Sequence, residues 1–326
     1  MKIPKDWRCK ALVMQICSHL PAGEQVHYFL QRRVMHTFPT GESKFRKIFQ
    51  HAAQHIHSLE RFHWENRKPA IFYEFGAGWD LAIPLSFYSL GVDYQILIDI
   101  RKLLNIELVN STIRMLQDLS GELGISRIPN RLFALNDGHK WISQLEELYG
   151  IRYLAPYDAR HTGLPDESVD FTTSTNTLEH IPSDDILPIF RECRRILKSD
   201  GAMSFIVDYQ DHYSYFDKTI GVYNFLKYSP SEWKKFNPAL HFQNRLRHRD
   251  YCEIANLSGF IVESKALTET TVSDVKALEQ IPINPCFLEK YNPEELAIRA
   301  AHFILYKSGD RCSDPQRAES VVSKCG

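Results

Sequence analysis

The stretch Ile71-Phe72-Tyr73-Glu74-Phe75-Gly76-Ala77-Gly78-Trp79-Asp80 decides the architecture. A short apolar run ends in an acid, and a Gly-x-Gly turn then opens a helix-like segment over 81–90. Strand, glycine turn and helix in that order bring bare backbone close to a ligand at the carboxyl edge of an α/β sheet. The glycines admit positive φ and lack the Cβ that would block that approach.

The same grammar repeats downstream. Residues 94–99 read as a second strand ending in Asp99, and 103–119 carry a helical pattern. A third strand is expected over 151–157, followed by Asp158-Ala159-Arg160, and a fourth over 168–174, running into Thr175-Asn176. Ile186, Ile189, Phe190, Cys193, Ile196 and Leu197 form a helical stripe whose first turn Pro188 should disturb. Lys198-Ser199-Asp200-Gly201 reads as a helix stop before a fifth strand over 202–207, and 259–263 and 302–306 read as closing strands. Strands alternating with helices imply parallel βαβ units, hence an α/β fold with a doubly wound sheet.

Upstream, residues 1–68 read as a helical layer. Phe45, Ile48, Phe49, Ala52, Ile56, Leu59 and Phe62 recur at three- and four-residue steps along one helix face. His51 and His55 stand at i, i+4 on that helix; with no further ligand in view they read as a solvated face rather than a metal pair. After the fifth strand, residues 209–257 break the alternation with an aromatic, charged segment, expected to be a substrate-side insertion. The organisation expected is therefore a helical layer over 1–68, a catalytic domain over 69–307 and a polar, flexible tail over 308–326.

At 326 residues, 44% hydrophobic and 24% charged, the chain can bury a sizeable core. A net charge of −1 gives no general pull toward nucleic acid, and no apolar run is long enough to span a bilayer. Seven scattered cysteines without a Cys-x-x-Cys pair suit reduced thiols in the cytoplasm.

Three acids, Glu74, Asp99 and Asp158, follow the first three strands, on the edge where such sheets bind ligands. A carboxylate after the second strand can accept from both hydroxyls of a ribose, and one after the third from an adenine amine. Leu81 stands where a dinucleotide fingerprint wants a small residue, and Glu74 would repel pyrophosphate. An acid there suits a ligand carrying ammonium and sulfonium groups, which points to S-adenosylmethionine.

The chain resembles class I S-adenosylmethionine-dependent methyltransferases, in particular the methyltransferase type 11-like group. The resemblance rests on Glu74-Phe75-Gly76-Ala77-Gly78, Asp99, Asp158-Ala159, 164–170, Leu178-Glu179-His180-Ile181-Pro182 and 197–201, in that order. It covers roughly 69–307 and implies a Rossmann-like seven-stranded sheet with the last strand antiparallel. It also implies that Gly76 and Gly78 pass the methionine part of the cofactor, with Ala77 between them. Asp99 would hold the ribose, Asp158 with Ala159 would meet adenine, and Asn176 would line the pocket near the methyl group. Asp80 stands where relatives often carry a small residue and is expected to serve as an N-cap instead.

For the acceptor side, His212 after the fifth strand is the expected general base, with Asp211 beside it, and His180 after the fourth strand is the runner-up. Arg245 and Arg247 either grip an acceptor's phosphate or carboxylate or form a solvated helix face. Residues 208–213, with Tyr209 and Asp211 among them, resemble bacterial methyltransferases of surface glycans and small molecules, which implies O- or N-methylation of such an acceptor. Glu179-His180 is a pair that ligates metal in some relatives; with two adjacent candidates only, no metal site is assigned. Nucleic acid is not expected as a partner, and a homodimer stays open. The competing readings are a nicotinamide-dependent oxidoreductase and a non-catalytic nucleoside-binding scaffold.

Overall fold

In the computed structural model, residues 6–307 are described apart from positions 36, 68, 137, 139, 268 and 269. The tail expected over 308–326 lies outside the described residues. Helices α1 (Trp7–Ser18), α2 (Gly23–Arg33) and α3 (Glu42–Leu59) lead to strand β1 (Ile71–Phe75). Then come α4 (Ala82–Ser89), β2 (Tyr94–Ile98), α5 (Ile106–Asp118), the single turn α6 (Ser120–Leu123) and α7 (Lys140–Tyr149). β3 (Ile151–Leu154), β4 (Val169–Thr175), α8 (Ser183–Ile196) and β5 (Leu197–Asp208) follow. After a long excursion containing the short α9 (Pro230–Trp233), the chain closes with α10 (His248–Leu257), β6 (Phe260–Ala266), α11 (Val272–Glu279) and β7 (Ala300–Lys307).

The strands form one seven-stranded sheet in the order β3-β2-β1-β4-β5-β7-β6. β1 through β5 pair in parallel, whereas β7 runs antiparallel to both β5 and β6. Order reverses between β1 and β4, and ligands bind above the strand ends at such a switch point.

Side-chain alternation decides what each face holds. Tyr73 and Phe75 of β1 pack with α8 and α10 residues such as Ile189, Phe190 and Tyr251. Phe72 points the other way, toward Ala52 and Ile56 of α3 and Phe87 of α4. Both faces of β1 are therefore apolar, as a central parallel strand requires.

The sheet corrects several expectations. β5 starts at Leu197, so 197–201 already belongs to the strand, entering through a register shift opposite Val169 and Phe171. α8 runs unbroken through Pro188, which removes only one donor from the helix. His55 is neither solvated nor metal-bound in pattern. It is wholly buried on the apolar stripe of α3, with Nδ1 2.6 Å from Ser204 Oγ and Nε2 3.1 Å from Thr175 Oγ1. Burial, with His302 beside it, holds its imidazole well below the usual range.

The N-terminal helices are packed onto the rest of the chain. Trp7 is buried, its ring 5.3 Å from Tyr213 and 4.8 Å from Phe236, and its amide donates to Asp217 at 3.1 Å. Tyr28 of α2 stacks on Trp79 of the glycine turn at 5.1 Å. The excursion after β5 shares one apolar cluster with a second excursion between β6 and β7, where Leu278, Phe287, Tyr291 and Leu296 lie. This second excursion has no counterpart in the sequence reading. No helix among the described residues is long and apolar enough to cross a membrane.

Candidate active site

β1 ends at Phe75, and Gly76 (φ 85°) and Gly78 (φ 69°) turn the chain in a region that L side chains rarely enter. The Gly76 amide donates to Ile98 O at 2.9 Å, tying the turn to β2. A Cβ on Gly76 would lie 2.4 Å from Thr177 Cγ2, so glycine is required there by space as well as by φ. A Cβ on Gly78 would meet nothing within 4 Å, and that open space belongs to the cleft. The N-cap of α4 is Leu81, in the left-handed region, and not Asp80 as expected; Asp80 still accepts from Ala82 N at 3.2 Å and from Thr40 Oγ1 at 2.9 Å, which ties the start of α4 to the N-terminal layer.

The cleft is about 450 Å³, and its lining includes Gly76, Gly78, Asp99, Asp158, Asn176 and His180. Asp99 is 7% exposed, with Oδ2 accepting from Gly78 N at 3.2 Å and Oδ1 from Arg101 N at 2.9 Å. Burial raises its carboxyl despite these bonds, so a ligand that donates to it meets a poorly solvated acceptor. Ala159 also lines the cleft. Asp158 is engaged by Arg160, which donates from its amide at 2.9 Å and from Nε and Nη2 at 3.0 and 2.7 Å. These bonds hold Asp158 below the usual carboxylate range.

Glu74 and Ala77 are buried behind the turn and do not line the cleft. Glu74, with a single bond from Thr173 Oγ1 at 3.3 Å, is pushed by burial up to about 8.

At the far end of the cleft, Asn176 takes φ 49°, which asparagine tolerates. It turns the chain into the single 3₁₀ turn Leu178–His180. Asn244 pins this turn: its Nδ2 donates to Leu178 O and Ile181 O at 2.8 Å, and its amide to Glu179 O at 2.7 Å. His180 faces the cleft, with Nδ1 2.7 Å from Phe242 O, and burial with His212 nearby pushes its imidazole down to about 4. The His212 ring lies 4.9 Å from that of His180, and Gln243 Oε1 accepts from its amide at 3.2 Å.

Four expected acceptor contacts are placed elsewhere. Arg247 is wholly buried and donates to Tyr209 O, Leu296 O and Ile298 O at 2.7–2.8 Å. It joins the two excursions and reaches no acceptor. Arg245 donates to Phe225 O at 2.9 Å and to Tyr228 O, lying over Trp233 and Phe287. Neither the grip nor the solvated helix face describes these arginines. Tyr209 is buried under Tyr251, and Asp211 spends its carboxylate on Tyr213 N and Asn224 Nδ2. The carboxylate beside the His212 imidazole is Asp208, at 3.5 Å, not Asp211. Burial works to raise Asp208, but bonds from His212, Tyr215 and Gln210 outweigh it and hold it low.

Sequence reasoning missed Asp208 as a neighbour of His212, and Thr177 and Arg160 as cleft residues. The Asp208/His212 spacing of four was visible, but only the bend at Gln210, between β5 and the 3₁₀ turn His212–Tyr215, makes it a contact.

This sheet order, with its reversed last strand and a cleft over the β1/β4 switch point, is the one that the resemblance to class I S-adenosylmethionine-dependent methyltransferases implies. Residues 124–205, from the end of α6 into β5, match the family described as Methyltransferase domain. That match spans about a quarter of the 326-residue chain. No curated protein matches it. Among solved structures it is similar to the YcgJ protein from Bacillus subtilis, at 15% identity and TM-score 0.39, covering 74% of this chain and 94% of that one. A sarcosine dimethylglycine methyltransferase assigned in Galdieria sulphuraria shows 16% identity and TM-score 0.41 over 79% and 86%. Phosphoethanolamine N-methyltransferase 2 of Haemonchus contortus, in complex with S-adenosyl-L-methionine, shows 17% and 0.42 over 86% and 59%.

Proposed function

We propose that the cleft holds S-adenosylmethionine between the glycine turn and Asp99, and that a small-molecule acceptor enters over His180 and His212. The observation that carries this reading is the pairing of a glycine cradle with a buried carboxylate. Gly78 leaves open space where a Cβ would stand, and Asp99 presents its oxygens from the end of β2. Asp99 would accept from ribose hydroxyls, and Gly76 and Gly78 would let backbone approach the amino-acid part. Asp158 and Ala159 would border adenine, with Asp158 sharing its oxygens with Arg160, and Asn176 would stand near the reacting end.

When bound, the cofactor supplies a methyl group on a positively charged sulfur, open to in-line displacement. The residues contribute position: a cradle that fixes the donor and a wall that aims the acceptor, the ordering effect by which such reactions gain most. His180 is neutral at physiological pH and, with His212, is placed to take the proton of a hydroxyl or ammonium acceptor. A glycan-related or other small acceptor methylated on oxygen or nitrogen fits a cleft of this size. Scattered free thiols at Cys9, Cys17, Cys193, Cys252 and Cys286 support action in the cytoplasm.

Calorimetric titration with S-adenosylmethionine, its demethylated product and a nicotinamide dinucleotide tests the reading. Micromolar binding of the first two and none of the third is expected; the reverse would return the chain to redox chemistry. Screening metabolite fractions with methyl-labelled cofactor then identifies the acceptor.

A further inference from the structure

Glu179 sits on the turn after β4, 1% exposed. Neither carboxylate oxygen has a hydrogen-bond partner of good geometry, only the glancing approach of the Glu179 and Asp208 amides. Buried polar groups are nearly always satisfied, and one left open implies a missing partner. Its side chain is not isolated. One ligand atom from each of Glu179, His180 and His212 lies within 4.8 Å of the other two.

The surroundings orient the two imidazoles. Phe242 O can only accept, so His180 Nδ1 carries the proton and Nε2 keeps its lone pair free. A ring nitrogen donated to a backbone carbonyl is how protein folds fix a metal-ligating histidine. Residues 242–244 hold all three: Phe242 fixes the His180 ring, Gln243 the backbone of His212, and Asn244 the turn that bears Glu179. The Asp208 carboxylate adds negative charge 3.5 Å from His212 Nε2.

We propose that Glu179, His180 and His212 form a binding site for a divalent transition metal at the acceptor end of the cleft. Two imidazoles and one carboxylate suit Zn²⁺, Fe²⁺, Co²⁺ or Mn²⁺ better than Mg²⁺ or Ca²⁺, which take oxygen ligands. Metal bonds of about 2.1 Å require ligand atoms roughly 3–3.5 Å apart, so the side chains close slightly on binding. Three protein ligands leave positions for an acceptor's oxygens, and a metal there would hold the acceptor and sharpen its nucleophile. This role rests on the methyl-transfer reading and would replace proton removal by an imidazole; the site itself does not depend on it. The rival account is that Glu179 stays protonated and binds no metal.

The full chain, stripped with chelator and dialysed, is titrated with Co²⁺ while visible absorption is followed, and Zn²⁺ is then added as competitor. One equivalent of Co²⁺ with a ligand-field spectrum, displaced by Zn²⁺, is expected. Glu179→Gln and His212→Asn should each weaken binding at least tenfold while the far-ultraviolet spectrum stays native. Asp118→Asn, exposed at the end of α5, should leave it unchanged. No stoichiometric Co²⁺ binding, or binding that persists unchanged in both ligand variants, would overturn the site. Cofactor titration on the same samples separates the two readings. Cofactor binding without metal overturns only the metal site, and metal binding without cofactor overturns only the methyl-transfer assignment.

Discussion

Glu74 should report cofactor binding as a released proton. It is 3% exposed, receives one hydrogen bond, and burial lifts its carboxyl to about 8. At pH 7 roughly nine in ten Glu74 side chains therefore hold a proton. Placing the cofactor's ammonium over the glycine turn favours the carboxylate, because an opposite charge nearby lowers an acid's pKa. If that brings Glu74 to about 6 or below, binding at pH 7 releases on the order of 0.8–0.9 proton per site, and at pH 9 only about 0.1. Calorimetry in two buffers of different ionisation enthalpy reads this number directly, and Glu74→Gln should release none.

The same carboxyl gives a stability test with a fixed sign. Its folded value lies above the unfolded one of about 4.5, so the unfolded chain loses this proton first as pH rises. Stability is full below about 4.5, falls between there and about 8, and is flat beyond. Glu74→Gln should match the wild type near pH 4.5 and exceed it at pH 8.5, by at most about 5 kcal/mol. Equal binding heats in both buffers at pH 7 would refute the coupling to cofactor. A wild type as stable as Glu74→Gln at pH 8.5 would refute the raised carboxyl itself.

Asp99→Ala should weaken cofactor binding roughly ten- to a hundredfold, the loss expected for a charged acceptor worth about 1.5–3 kcal/mol, as read by calorimetry. Gly76→Ala should be harsher than Gly78→Ala in thermal melting: both add strain at positive φ, but only the first drives a Cβ to 2.4 Å from Thr177. Arg247→Met should lower stability by about 3 kcal/mol or more in urea unfolding, since two buried carbonyls and one partly buried one lose their donor. An unchanged midpoint would deny Arg247 its joining role. Hydrogen exchange with the demethylated cofactor should protect residues 178–182, which border the cleft through His180, Ile181 and Pro182, and the turn His212–Tyr215, whose His212 ring lies against His180.

The sheet was legible because each strand carries its own signal: an apolar run, an acid or glycine at its end, a helical stripe after it. Asp99 and Gly76 could be placed from those local signals alone. What failed was decided by partners distant in sequence. Arg247 sits in a basic cluster that reads as a surface, yet its carbonyl partners come from Tyr209, Leu296 and Ile298. His55 lies on a correctly read stripe, but only the sheet brings Ser204 and Thr175 to satisfy it. Two of the three ligand candidates, Glu179 and His180, were adjacent and visible; the third, His212, arrives only because β4 and β5 are neighbours. The second excursion lacked strands and a long periodic helix, so nothing in it stood out.

Trp7 has an implication for how the polypeptide is made. Its ring partners Tyr213 and Phe236 and its amide's acceptor Asp217 all lie more than two hundred residues downstream. At about 5–20 residues per second of synthesis, α1 emerges roughly ten to fifty seconds before these three partners, with only α2 following closely behind it. During that interval Trp7, buried in the folded chain, lacks its aromatic neighbours. Helix α1 is thus made early and completed late.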